Sequence, residues 1–124
     1  MINFDNNKPI YLQIADDITD HIALGNPAPE ERIASVRDLA AQYQVNANTA
    51  MRSVEYLQSN DIIYNRRGIG YFVAADAVER IMQMRREQFM NSEIDYFFNR
   101  LSILGFSPDE VKEMFQNYLN KTDK

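Results

Sequence analysis

Cysteine is absent from the 124-residue sequence, and histidine occurs once. The absence of cysteine excludes disulfide bonds and thiolate metal sites, and a single histidine excludes an imidazole-rich metal site. His21 lies in a helical pattern beside acidic residues, and we interpret it as a surface residue. Asp16, Asp17 and Asp20 form an acidic cluster with no further ligand evident nearby, which favours a solvated helix face over a metal site. The sequence therefore predicts neither a metal nor another cofactor.

Long hydrophobic runs are also missing, and so is the basic region followed by an apolar core that typifies a secretion signal. We therefore expect a cytoplasmic protein with no membrane partner. No nucleophile with its base and no carboxylate pair is evident, so an enzyme is the least favoured class. The hydrophobic fraction of 45% and the charged fraction of 25% are typical of a folded globular protein.

The net charge of −5 argues mildly against a nucleic-acid-binding protein, but its distribution along the chain weakens that argument. Basic and acidic residues number two and six in residues 1–34, four and three in residues 35–74, and seven and nine in residues 75–124. Only the middle segment is positive. Because charges interact over a Debye length of about 10 Å, a local basic patch can attract phosphates even in an acidic chain.

The middle segment has the pattern of a helix, a short turn and a second helix. Ser35 is a typical N-cap residue and Asp38 follows three positions later, which predicts that the first helix begins there. Asn46 offers a second N-cap after a break at residues 44–45. Two short helices separated by so few residues must cross at a steep angle, as in a helix-turn-helix.

The second of these helices has a predicted buried face and a predicted outward face. We expect the buried stripe to consist of Ala47, Ala50, Val54 and Leu57. The outward face begins with Asn48, Thr49 and Arg52, whose amide, hydroxyl and guanidinium groups can contact base edges or phosphates. A well-capped helix with a solvated polar face would give the same pattern, so this segment taken alone does not decide between the two interpretations.

A hairpin is predicted directly after the helix pair. Strand-like residues 62–65 and 71–74 flank a turn at residues 66–70 that contains two arginines and two glycines. Such a turn suits a wing that approaches phosphates or the minor groove, whereas the alternative is a hairpin with solvated charges. Its position after a helix-turn-helix favours the wing. A brief strand is also expected at residues 32–33.

Helical patterns surround this segment. Isoleucine recurs every fourth residue over residues 10–22, which predicts a first helix that supplies a core face and ends near Gly25. After the hairpin, residues 76–104 form one long apolar-rich helical pattern, and residues 107–108 begin another with an N-cap and a proline. The sequence thus predicts a mainly α protein with a small β-hairpin, in which a winged helix-turn-helix is followed by a C-terminal helical hairpin.

The C-terminal helices carry more phenylalanine and methionine side chains than a hairpin of about 50 residues can easily bury by itself. We expect a second copy of the chain to cover them, because two-fold dimers dominate homo-oligomers and match paired half-sites. Packing on the chain's own N-terminal domain and a ligand pocket are the alternatives. The predicted dimerisation residues are Ile81, Phe89, Ile94, Phe97, Phe98, Leu101, Phe115 and Tyr118.

Several of these motifs, in this order, resemble the winged-helix domain of GntR-type bacterial transcription regulators, and the short helical tail resembles the YtrA subfamily. The motifs are Pro9–Ala15, Ser35–Ala40, Val45–Thr49, Arg52 and Arg67–Val73. By this resemblance we expect a DNA-binding domain over residues 1–75 and a helical dimerisation domain over residues 76–124.

The resemblance implies a homodimer that binds a two-fold operator in double-stranded DNA and acts as a repressor. The residues that it places at the operator are Arg37, Asn46, Asn48, Thr49, Arg52, Arg66, Arg67 and Gly68. Ala34 stands where the family usually has proline, and Ala47 where it has proline or arginine. Family members with large tails bind metabolites there, and this short tail leaves open whether a small-molecule effector exists. The alternative function is a protein-interaction module that uses the winged helix as a scaffold and the aromatic tail as its binding surface.

Overall fold

A computed structural model describes residues 8–122 of the chain. Within this range the protein has six α-helices and one two-stranded antiparallel sheet. In chain order the elements are α1 (Ile10–Ala23), α2 (Val36–Tyr43), α3 (Ala47–Ser59), β1 (Ile63–Arg66), β2 (Gly70–Val73), α4 (Ala77–Ser92), α5 (Ile94–Ile103) and α6 (Pro108–Thr122). The predicted fold class, mainly α with a small β-hairpin, is confirmed.

Side-chain caps begin the two helices of the helix-turn-helix at the predicted residues. The Ser35 hydroxyl accepts a hydrogen bond from the Asp38 amide at 3.1 Å, and the Asn46 side-chain oxygen accepts one from the Thr49 amide at 2.8 Å. Gln44 follows α2 in the left-handed region, with a φ of 57°. This conformation turns the chain sharply, so α3 can begin almost directly after α2 ends.

The helices α1, α2 and α3 and the hairpin enclose one hydrophobic core. Its buried side chains include Ile14, Ile18, Ile22, Leu39, Val54, Leu57, Ile62 and Val73. The isoleucines of α1 therefore face inward as predicted, apart from Ile10, which is 45% exposed. Burial of these apolar faces fixes α1 and α2 against α3 and leaves the polar faces of the helices to solvent.

A partly buried hydrogen bond also joins α2 to α1. The hydroxyl of Tyr43, a residue that is 6% exposed, donates to the Asp17 carboxylate at 2.6 Å. Burial raises the pKa of Tyr43, and the hydrogen bond and negative charge of Asp17 raise that pKa further. Asp17, which we expected on a solvated face, therefore connects two helices.

A third extended segment joins the hairpin. β1 and β2 pair in a register that places Arg66 opposite Gly70. Upstream of α2, Arg32 forms an isolated antiparallel bridge with Phe72 of β2. The brief strand expected at residues 32–33 is present as this single bridge, and it ties the segment before the helix-turn-helix to the hairpin.

The chain divides into two compact units, Met1–Met84 and Arg85–Lys124. We call them the first and second unit. The boundary lies within α4, later than the predicted boundary after residue 75, because the first half of α4 contributes Ile81 and two other side chains to the core. Ile81, one of the predicted dimerisation residues, is 3% exposed, so the core of the first unit covers this side chain.

The C-terminal helices differ from the prediction in one respect. Residues 76–104 form two helices and not one, since Glu93 separates α4 from α5. The apolar pattern continues across this break, so periodicity did not reveal it. α6 begins as predicted, with a capping box in which the Glu110 amide donates to the Ser107 hydroxyl at 3.2 Å and the Ser107 amide donates to the Glu110 carboxylate at 3.0 Å. These hydrogen bonds lower the pKa of Glu110.

Candidate nucleic-acid interface

The first turns of α3 present polar side chains to solvent. Asn48 and Arg52 are exposed, and Thr49 between them is half-buried. Asn46 is exposed as well, but its side-chain oxygen is used to cap the helix. Its side-chain amide hydrogens remain as donors. The structure therefore groups amide, hydroxyl and guanidinium groups at one end of a single helix, as the sequence predicted.

The buried face of α3 differs from the prediction at two positions. Ala47 is exposed, while Ser53 is fully buried. The Ser53 hydroxyl donates a hydrogen bond of 2.7 Å to the carbonyl oxygen of Tyr11 in α1. This bond satisfies the buried hydroxyl and ties α3 to the first turn of α1, which apolar periodicity could not indicate.

An aromatic pair positions Arg52. The guanidinium carbon of Arg52 lies 4.3 Å from the centroid of the Tyr11 ring, a cation–π distance. Tyr56 packs edge-on against the same ring, with 6.3 Å between the centroids. Sequence reasoning did not identify Tyr11 as a site residue, because no local spacing relates positions in two different helices.

The cations of this surface are not neutralised by nearby acids. Arg37, which is exposed in the first turn of α2, forms no ion pair with any of residues 8–122. The same holds for Arg52, Arg66 and Arg67. Arg80 in α4 differs, since it pairs with two aspartates. The helix-turn-helix and the hairpin therefore keep guanidinium groups that can bind an anion.

The hairpin tip carries the predicted wing residues. Arg66, Arg67 and Gly68 are exposed, and the φ of Gly68 is +79°, a conformation that favours glycine. The Ile69 amide donates to the Arg66 carbonyl oxygen at 2.9 Å and closes the turn. The tip is thus a short, hydrogen-bonded turn that carries two exposed arginines.

Aromatic contacts support the hairpin. The rings of Tyr64 and Phe72 stack across the two strands with centroids 6.0 Å apart, and the Arg66 guanidinium lies 4.8 Å from the Phe72 centroid. The Tyr64 hydroxyl donates to the Glu30 carboxylate at 2.9 Å, which raises the pKa of Tyr64. Sequence reasoning missed these contacts, because they depend on the strand register.

The second unit exposes most of the predicted dimerisation residues. The exposed ones are Phe89, Phe97, Phe98, Phe115 and Tyr118, while Ile94 and Leu101 are half-buried. Neither α5 nor α6 contains a buried residue. Phe98, Leu101 and Phe115 line one open groove of about 700 Å³ between these two helices. The second unit therefore carries an apolar surface that its own helices leave uncovered.

No helix within residues 8–122 is both long enough and apolar enough to cross a membrane. Nor do three or more histidine or acidic side chains come together there as candidate metal ligands.

Comparison with known proteins places the first unit among regulators. Residues 10–73 match the family described as bacterial regulatory proteins, gntR family. The HTH-type transcriptional repressor YtrA of Bacillus subtilis is 33% identical over 101 residues, which cover 77% of this chain and 78% of YtrA. A solved structure of a GntR-family transcriptional regulator from Bacteroides thetaiotaomicron is 50% identical, with a TM-score of 0.81, and covers 91% of this chain and 98% of that chain.

A second solved structure contains DNA. It is the crystal structure of the AraR DNA-binding domain in complex with operator ORX1, to which this chain is 26% identical with a TM-score of 0.55. The match covers 60% of this chain and 95% of the AraR chain.

Proposed function

Because the chain belongs to the gntR family of bacterial regulatory proteins, we propose that it represses transcription by binding a two-fold operator as a homodimer. The family itself establishes a transcription regulator that binds DNA and is not an enzyme. The observation that carries the proposal is the exposed polar start of α3. The Asn46 cap and the bond from Ser53 to α1 hold this helix end in place.

Base recognition is assigned to the exposed start of α3. In a helix-turn-helix the first turns of the second helix enter the major groove. There Asn48 can donate to and accept from the edge of adenine, and Arg52 can donate two hydrogen bonds to guanine. Thr49 can contact either a base or a phosphate. The AraR complex with its operator supports a DNA-facing role for this domain.

Phosphate contacts are assigned to the remaining cations of the first unit. Arg37 in α2 and Arg66 and Arg67 in the hairpin are exposed and have no described acidic partner. Gly68 has no side chain, so the backbone amides of the tip can approach the DNA closely. These contacts fix the position of the protein on the duplex, while α3 selects the sequence.

Dimerisation is assigned to the second unit. Its exposed aromatic residues and its uncovered groove make an apolar surface of the kind that marks protein interfaces. A second copy of this surface is the partner, because a two-fold dimer pairs two identical helix-turn-helix units with two half-sites. In a dimer, binding of one DNA-binding domain to its half-site raises the effective concentration of the second domain at the other half-site. The resulting gain in affinity compensates for the weak attraction to phosphates expected of one first unit, in which residues 35–74 carry four basic and three acidic residues.

Repression follows from occupancy of the operator. The relative YtrA of Bacillus subtilis is named as a repressor, which supports the same action for this chain. A dimer that covers a promoter site excludes other proteins from that DNA.

The test is selection of genomic fragments by the purified full chain, followed by footprinting of the enriched sites. We expect a short sequence repeated about a two-fold axis, within or next to a promoter. Sedimentation equilibrium is expected to give twice the mass of 14.5 kDa. Transcription from the selected promoter should fall when the protein is added in vitro.

Three outcomes would contradict parts of this function. A monomer at micromolar concentration would refute the dimer, and increased transcription would replace repression by activation. Failure to enrich any fragment would reject operator binding. The alternative, a protein-interaction module built on the aromatic tail, would then account for the exposed surface.

A further inference from the structure

The outer face of the hairpin is defined by its strand register. Directly opposed residues of two antiparallel strands share a face. Ile63 and Val73 oppose each other and are buried, so their face lies against the core. Arg66 and Gly70 form an opposed pair of the other set and lie on the outward face. Gly70 leaves this face without a side chain next to Arg66.

The side chain of Arg32 fills that space. A Cβ atom placed on Gly70 would lie 2.8 Å from Nε and 3.1 Å from one terminal nitrogen of Arg32. The guanidinium of Arg32 therefore rests on the Gly70 backbone, and the bridge between Arg32 and Phe72 fixes where its side chain starts. The φ of Gly70, +145°, is a second reason for glycine at this position.

Two guanidinium groups consequently share the outward face of the wing. Neither Arg32 nor Arg66 forms an ion pair with any of residues 8–122. Two acids precede Arg32 in the same segment, and both have other partners. Glu30 accepts a hydrogen bond from the Tyr64 hydroxyl, and Glu31 accepts one from the Ala28 amide at 2.6 Å. Two positive charges on one face, neither of them paired with a carboxylate, favour binding of an anion.

We propose that Arg32 is a further DNA-contacting residue, and that Arg32 and Arg66 together bind backbone phosphate at the wing. This inference rests on the proposed function, which places the hairpin against a duplex. A planar guanidinium donates two parallel hydrogen bonds to phosphate oxygens, so arginine suits this role better than lysine. Residues 1–34 carry two basic and six acidic residues, so the charge of this segment gave no indication that Arg32 contacts DNA.

The experiment measures the salt dependence of duplex binding by the full chain. Arg32→Gln removes the charge and keeps a long polar side chain. We expect the slope of log K against log salt, between about 50 and 200 mM, to become shallower by about 0.9 for the lost phosphate contact. The matched control is Arg86→Gln, which changes the net charge equally at an exposed position of the second unit. Its slope should equal that of the wild type.

A second measurement uses the wild-type chain, so it does not require that a variant folds. In the wild-type chain the Nε–H resonance of each arginine can be followed by NMR while duplex is added. The Arg32 and Arg66 signals should shift, whereas the signal of the ion-paired Arg80 should stay in place.

The results separate the inference from the function on which it rests. An unchanged Arg32 signal at saturation, or an unchanged slope in a folded Arg32→Gln variant, would overturn the inference while duplex binding remained. Wild-type protein that binds no duplex would overturn both. Equal loss of slope in Arg32→Gln and Arg86→Gln would also reject a specific contact by Arg32.

Discussion

The ring of Tyr11 lies against the guanidinium of Arg52, with 4.3 Å between the ring centroid and the guanidinium carbon. Tyr11 belongs to α1 and Arg52 to α3. The carbonyl oxygen of the same Tyr11 accepts a hydrogen bond from the Ser53 hydroxyl. One residue of α1 therefore contacts both the buried and the exposed side of α3. A side chain that is already ordered loses less conformational entropy when it binds DNA.

Loss of the Tyr11 ring tests this arrangement. We expect Tyr11→Leu to weaken operator binding by about two- to fivefold, because an exposed cation–π contact contributes about 0.5 to 1 kcal/mol. The charge of Arg52 is kept, so the salt dependence should not change. Tyr11→Phe retains the ring and is the matched control. Anisotropy titrations that give equal affinities for the Leu and Phe variants would show that Arg52 needs no aromatic support.

Replacement of Arg52 itself tests base recognition. Arg52→Ala is expected to lose about 1 to 3 kcal/mol of binding free energy on the operator and less on random DNA, because a base contact is lost only where the base is present. Arg37→Ala provides the comparison within the same domain. Equal losses on both kinds of DNA would assign the residue to phosphate.

The wing arginines are tested by salt titration. Arg67→Ala and Arg66→Ala should each make the slope of log K against log salt shallower by about 0.9, the value for one phosphate contact. Preference for the operator over random DNA should remain nearly constant, since phosphates carry no sequence information. Unchanged slopes in both variants would exclude the hairpin as a DNA-binding wing.

The dimer interface is tested by two substitutions in the groove of the second unit. We expect Phe98→Ser combined with Phe115→Ser to give a monomer, because both residues contribute apolar area that only a partner can bury. Operator affinity should fall while binding to a single half-site is retained. Leu24→Ser, at a residue of the first unit that is 86% exposed, is the control. A double variant that still sediments as a dimer would exclude this groove from the interface.

Alkaline pH tests the contact between α1 and α2. Burial, followed by the hydrogen bond to Asp17, raises the pKa of Tyr43 in the folded protein. A raised pKa stabilises the folded state below the pKa of the unfolded state, about 10, and this contribution is lost as the pH rises further. We expect the free energy of unfolding to fall above about pH 10, and to fall less steeply in Tyr43→Phe.

The comparison for this pH series is Tyr118→Phe at an exposed position. Urea denaturation across the pH range gives the free energies. At neutral pH, Tyr43→Phe should lose about 1 to 3 kcal/mol, as expected for a hydrogen bond to a carboxylate. Identical pH profiles for the wild type and Tyr43→Phe would show that Tyr43 is not responsible for the alkaline loss.

Local features of the fold were predictable because local chemistry determines them. Ser35, Asn46 and Ser107 cap helices at the predicted positions, since a cap needs only a side-chain oxygen within three residues of the free amides. The exposed groups at the start of α3 followed from helix geometry in the same way. The comparisons confirm the family that these motifs resembled.

Contacts between distant segments were not predictable from spacing. Periodicity placed Ile81 with the tail residues, but the core of the first unit buries it. Ser53 is buried because its hydroxyl donates a hydrogen bond to the carbonyl oxygen of Tyr11, a partner that residue spacing does not reveal. Ala47 is exposed although its side chain is apolar. Arg32 had no expected role, since its neighbour Gly70 is adjacent only in the folded sheet.

The sequence by itself determined where α2, α3 and α6 begin, which polar groups the first turns of α3 carry and which family the chain resembles. Each of these depends on neighbours within a few positions or on the order of motifs. Tertiary structure alone decided that Tyr11 positions Arg52 and that Asp17 accepts a hydrogen bond from the Tyr43 hydroxyl. It also decided that Arg32 and Arg66 lie on the same face of the hairpin. These relationships required packing of the helices and pairing of the strands, because only the assembled core fixes distances between residues that are far apart in the chain.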